Sequence, residues 1–111
     1  MHQPPAVAEA LARYKGALVE RFGERLRELI LFGSYARGEA HEDSDVDVMV
    51  AVEGLTEAER GEVIDLAYFQ GLAVDDTTLL SPLPYSTEQA ARMRAGGRRL
   101  FSDIDREGIP V

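Results

Sequence analysis

The feature that narrows the choice of folds most is a pair of short apolar runs separated by a polar turn. Leu26 to Phe32 is mostly apolar and stops at Gly33-Ser34. It is too short for another long helix, so it reads as a buried strand running into a glycine turn. Gly38 to Ser44 is polar and turn-like, and Val46 to Val52 first alternates and then becomes continuously apolar. That pattern gives a second buried strand, with Asp45 and Asp47 at its start.

Helical periodicity flanks this unit. Val7, Leu11, Tyr14, Leu18 and Phe22 recur at steps of three and four, and Gly23 supplies a stop. Thr56 followed by Glu59 has capping-box spacing and opens a second helix, with Val63, Ile64, Ala67 and Tyr68 as its inner face and Gly71 as its end. Leu72 to Leu80 reads as a third strand containing Asp75 and Asp76, and Pro82 and Pro84 end it or confine its continuation to an edge. Ser86 with Gln89 caps a third helix through Met93, and Gly96-Gly97 breaks it. Ser102 to Glu107 supplies a last helical turn or two, and Ile109-Pro110-Val111 a tail or edge strand. The order implies one α/β or α+β domain over residues 1–111, a sheet covered by helices on one main face.

Composition sets the partners. The formal charge of −8 disfavours a broad nucleic-acid surface, and the lack of cysteine excludes disulfides and thiolate metal sites. No stretch is apolar for the roughly 18 residues that a membrane span needs, and the N-terminus has no export signal, so a cytoplasmic protein is expected. Arg92, Arg94, Arg98 and Arg99 form the one basic concentration.

Three features carry chemistry: Gly33-Ser34 at a strand end, Asp45-Val46-Asp47 on the next strand, and Asp75-Asp76 beyond. Residues i and i+2 of a strand share a face, so Asp45 and Asp47 project together, about 6–7 Å apart along the chain. Unit charges 4 Å apart at an effective dielectric of 20 repel by about 4 kcal/mol, so such acids need a cation or must take up protons. All-oxygen ligands favour magnesium or manganese. Gly33 lets a backbone N–H approach a phosphate, Ser34 adds a hydroxyl donor, a short helix near Tyr35 would aim its positive end there, and Arg37 is within reach as a phosphate ligand.

Leu31-Phe32-Gly33-Ser34-Tyr35-Ala36-Arg37-Gly38 and Ser44-Asp45-Val46-Asp47-Val48 together resemble the GS-x10-DxD signature of the polymerase β-like nucleotidyltransferase superfamily. The size and flanks resemble its minimal members. The resemblance covers roughly residues 20 to 107. It implies that fold, with a mixed sheet, ATP or another NTP as donor, two magnesium ions, and transfer of NMP with pyrophosphate leaving. It also implies that Gly33 and Ser34 hold the triphosphate, that Asp45 and Asp47 bind metal, and that the third acid is Asp76, five residues before Ser81. Minimal nucleotidyltransferases are typically paired with a helical HEPN toxin, so an antitoxin that adenylylates a hydroxyl on such a partner is the expectation. A non-catalytic antitoxin acting by complex formation is the rival.

Overall fold

The computed structural model describes residues 4–41, 44–75 and 77–111. In chain order the elements are helix α1 (Pro5–Phe22), a 3-10 turn (Gly23–Arg25), strand β1 (Leu26–Phe32), a single helical turn α2 (Ser34–Arg37), strand β2 (Val46–Val52), helix α3 (Glu57–Val74), strand β3 (Leu80–Ser86), helices α4 (Thr87–Ala95) and α5 (Arg99–Glu107), and strand β4 (Ile109–Pro110). They form the α/β fold with a four-stranded mixed sheet in the order β3-β2-β1-β4. β1 is antiparallel to β2 and β4, whereas β2 and β3 run parallel, joined by the α3 crossover.

Period-two alternation along β2 sorts the core into two layers. Val46, Val48, Val50 and Val52 face α1 and α3, while Met49 and Ala51 face Phe101 and Ile104 of α5 and Ala90 of α4. Helices therefore cover both faces of the sheet, not one main face, because the continuous apolar run of β2 must be buried on both sides. The Tyr14 hydroxyl donates to the Val63 carbonyl at 2.9 Å, tying α1 to α3 within the larger layer. Burial pushes the pKa of that hydroxyl up.

Two boundaries differ from the sequence expectation. α3 runs through Gly71 to Val74, and β3 starts at Leu80, so the segment read as a strand from Leu72 is helix and turn. Gly71 does not stop the helix. A Cβ there would lie 2.7 Å from the Thr78 carbonyl oxygen, so glycine lets the returning chain pass close to the helix. β3 runs on through Pro82 and Pro84, which an edge strand accommodates with the proline nitrogens turned away from its neighbour. Ile64 and Tyr68 are exposed, not on the inner face of α3, since the core stripe is Val63, Ala67 and Gly71.

The capping boxes of α3 and α4 close as expected. Thr56 Oγ1 accepts from Glu59 N and Ser86 Oγ from Gln89 N, and each N3 side chain accepts in return. Ile109 and Pro110 form the edge strand, pairing with Leu31 and Ile30. Among the described residues no helix is long and apolar enough to cross a membrane.

Candidate active site

The antiparallel register of β1 and β2 pairs Phe32 with Asp47, so Gly33 leaves the sheet beside that carboxylate. Gly33 has φ 76°, in the left-handed region that favours glycine. A Cβ there would collide with Asp47 Oδ2 and lie 3.2 Å from its Cγ. The missing side chain is thus what lets the turn and the acid touch. Ser34 then opens α2, whose turn is closed by Arg37 N donating to the Gly33 carbonyl at 3.1 Å and Glu39 N donating to the Ser34 carbonyl at 2.9 Å, with Gly38 left-handed at its end.

Asp45 immediately precedes β2, and alternation puts it on the same side as Asp47 and Met49. The pKa of Asp47 is raised, first by burial, then by the charge of Asp45, with Arg37 opposing both. Those influences bring Asp45, Asp47 and Arg37 into one electrostatic neighbourhood. Among the described residues no hydrogen bond or ion pair neutralises either acid. A half-buried carboxylate without a cationic partner beside a second carboxylate is the chemistry that a hard cation satisfies, so the donor set fits magnesium or manganese.

Arg37 is engaged. Its guanidinium donates to Glu39 at 2.7 Å and to Glu107, at the end of α5, at 3.2 Å. Glu107 had no signal in the sequence, because only the packing of α5 on β1 brings it across. Ser81 enters the sequence reading only as the position five after Asp76, yet it is the β3 residue in register with Asp47.

Asp75 does not join the acids. It caps α3, and its Oδ1 accepts from Thr77 N, Thr77 Oγ1 and Thr78 N at 2.7–2.8 Å. Those hydrogen bonds, led by the Thr77 hydroxyl, lower its pKa. The strand expected to carry Asp75 is the end of α3 and a turn instead. Asp76 lies outside the described residues. Among the described residues no third His, Asp or Glu completes a cluster with Asp45 and Asp47. His41 and Ser44 close the loop before the acids, with His41 N donating to Ser44 Oγ at 3.1 Å.

The sequence profile of the nucleotidyltransferase domain matches residues 11–93. A protein of Methanocaldococcus jannaschii provisionally named protein adenylyltransferase MJ0141 is 36% identical over 80 residues, covering 71% of this chain and 79% of that protein. Protein adenylyltransferase MntA of Thermococcus cleftensis is 53% identical over 47 residues, 42% of this chain and 46% of that protein. A solved structure provisionally described as a minimal nucleotidyltransferase superposes with TM-score 0.61 at 29% identity, covering 90% of each chain. A toxin–antitoxin structure with AMP-PNP shares the fold, with TM-score 0.55 at 22% identity over 87% of this chain and 68% of that one. The glycine turn pressed on Asp47, the two acids and the match over most of the chain agree, and this protein belongs to the nucleotidyltransferase domain family, among its minimal members.

Proposed function

We propose that this chain is a magnesium-dependent protein adenylyltransferase that transfers AMP from ATP to a hydroxyl of a HEPN toxin and so acts as its antitoxin in the cytoplasm. The observation that carries the reading is the contact between the Gly33 turn and the unneutralised Asp47 carboxylate. It sets the turn that would cradle phosphate directly against the acid that would bind the cation. Relatives named protein adenylyltransferase and the toxin–antitoxin structure with AMP-PNP support the donor and the partner.

Asp45 and Asp47 would hold the metal, and Asp76 completes the acid set, since Asp75 is committed to Thr77 and Thr78. Bound magnesium, or manganese in its place, supplies charge neutralisation at the phosphates during displacement. Gly33 admits the triphosphate to the backbone N–H groups of the turn, and the Ser34 hydroxyl donates to a phosphate oxygen. Arg37 exchanges Glu39 for phosphate. The acceptor oxygen attacks the α-phosphorus, its bond to phosphorus forms as the bond to the leaving pyrophosphate breaks, and the hydroxyl proton is released.

Incubation with the HEPN partner, magnesium and labelled ATP should label the partner, and Asp45→Asn with Asp47→Asn should abolish the label. No transfer from any of the four NTPs would overturn the enzymatic reading. The rival reading is a non-catalytic antitoxin that neutralises its partner by complex formation alone. The double Asn variant separates the two, because a pure binder still neutralises its partner.

A further inference from the structure

Five of the six strongly exposed large apolar side chains among the described residues lie on α3 or just after it. Ile64, Tyr68 and Leu72, 46–56% exposed, recur at steps of four and make one stripe along the helix, and the Phe69 ring stands edge-on to Tyr68 with centroids 5.6 Å apart. Contiguous apolar surface of this kind marks a binding site for another protein more often than chance exposure does.

The stripe continues into charge. Arg60 stands one further step of four before Ile64, and it also lines a cleft of about 650 Å³ with Arg92, Arg98, Gln89, Tyr85 and a single acid, Glu57. Seven arginines of this acidic chain have a carboxylate partner. Arg60, Arg92 and Arg98 have none among the described residues, Arg60 donating instead to the Pro84 carbonyl. Arg13 and Lys15 of α1 also lack a carboxylate partner among the described residues, but three such cations line one cleft here, at the end of the apolar stripe.

The neighbouring sheet edge is closed to another mode of docking. Pro82 and Pro84 offer no N–H, and the Pro84 carbonyl is already taken by Arg60, so strand addition along β3 is blocked. A helix suits the surface. From Arg60 to Leu72 is twelve residues, about 18 Å at 1.5 Å per residue, or three to four turns.

We infer that the α3 stripe and the arginine cleft form one docking site for an amphipathic helix of a partner protein, its apolar face on Ile64, Tyr68 and Leu72 and its acidic end among Arg60, Arg92 and Arg98. The inference rests on the reading that this chain works on a protein partner, and it names the partner's docking element. The arginine end of the site lies at the end of the sheet away from Asp47, where Tyr85 pairs with Ala51, and the Leu72 end runs back toward the turn where Val46 N donates to the Leu79 carbonyl.

The probes are fluorescent 20-residue helical peptides with a leucine stripe and four glutamates at either end, against the same peptides with lysine in place of glutamate. Anisotropy with the full chain should show a glutamate peptide binding at least tenfold tighter than its lysine twin. Tyr68→Ser with Leu72→Ser should weaken it at least tenfold, and Arg92→Glu with Arg98→Glu should reverse the preference for charge, with unchanged melting by circular dichroism in each. Four results overturn the site: no glutamate peptide bound at 100 μM, equal binding of both charges, a wild-type dimer that Tyr68→Ser makes monomeric, or a single-stranded RNA 20-mer that binds tighter than the peptides and is lost in Arg92→Glu. None of these measurements involves ATP or magnesium, so transfer of AMP can fail while docking holds, and the reverse.

Discussion

Asp47 and Glu59 are acids at opposite ends of β2, and the protein treats them in opposite ways. Glu59 sits in the first turn of α3, where Arg25 donates to it twice, at 2.8 and 2.9 Å, and it closes the capping box with Thr56. Its pKa is drawn down to about 2, chiefly by Arg25. Asp47 is half-buried, faces Asp45, has no bonded partner among the described residues, and is pushed up. One end of the sheet satisfies its charge with protein. The other leaves charge for something to be bound, which is how a scaffold and a site differ when built from the same residue types.

The largest effect that would break this contrast is at Asp47. Asp47→Asn should reduce AMP transfer by about 10³-fold, the several kcal/mol of charge stabilisation that a metal site supplies, with no loss of melting temperature. Loss of both together would make Asp47 structural like Glu59. Gly33→Ala should cost about 10²-fold in transfer, because the Asp47 carboxylate must move to admit the methyl and a reacting group displaced by 1 Å loses that much. Measurement of kcat/KM checks it. At the other end, Thr56→Ala should remove about 1 kcal/mol of stability, a fall of roughly 4–8 °C in Tm, with transfer unchanged.

The smallest effect is in pH. Glu59 has a folded pKa below its ordinary value of 4.5, so its contribution is complete above 4.5 and is lost as pH falls toward about 2. Asp47 has the opposite sign: its raised pKa penalises the folded state at neutral pH, and protonation relieves that penalty as pH falls toward its ordinary 3.8. Acid unfolding of Asp47→Asn should therefore lack the relief, whereas Glu59→Gln should flatten the loss. Urea midpoints between pH 2 and 6 would show both.

Much of the site was legible because its parts are local in sequence. A glycine turn at a strand end and an i, i+2 pair of acids at the next strand's start need only the β1–β2 register to meet. The third strand was misread because Leu72, Ala73 and Val74 are as apolar as a strand. What keeps them helical is the passage of Thr78 close over Gly71, a long-range contact that no periodicity carries. Arg37 reads in the sequence as a phosphate ligand, and one of the two carboxylates that hold it, Glu107, lies 70 positions away. The placement of Ile64 and Tyr68 failed for a further reason. Apolar character at helical spacing identifies a stripe but not what covers it, and here the sheet takes the neighbouring stripe instead.

The clash built into Gly33 makes positions 33 and 47 a single unit of substitution. Any side chain at the first pushes the carboxylate at the second out of its place. Attempts to stiffen this protein by replacing glycines can succeed at Gly16 or Gly61, where a methyl meets open space. At this corner the backbone's looseness and the acid's presence are inherited together or not at all.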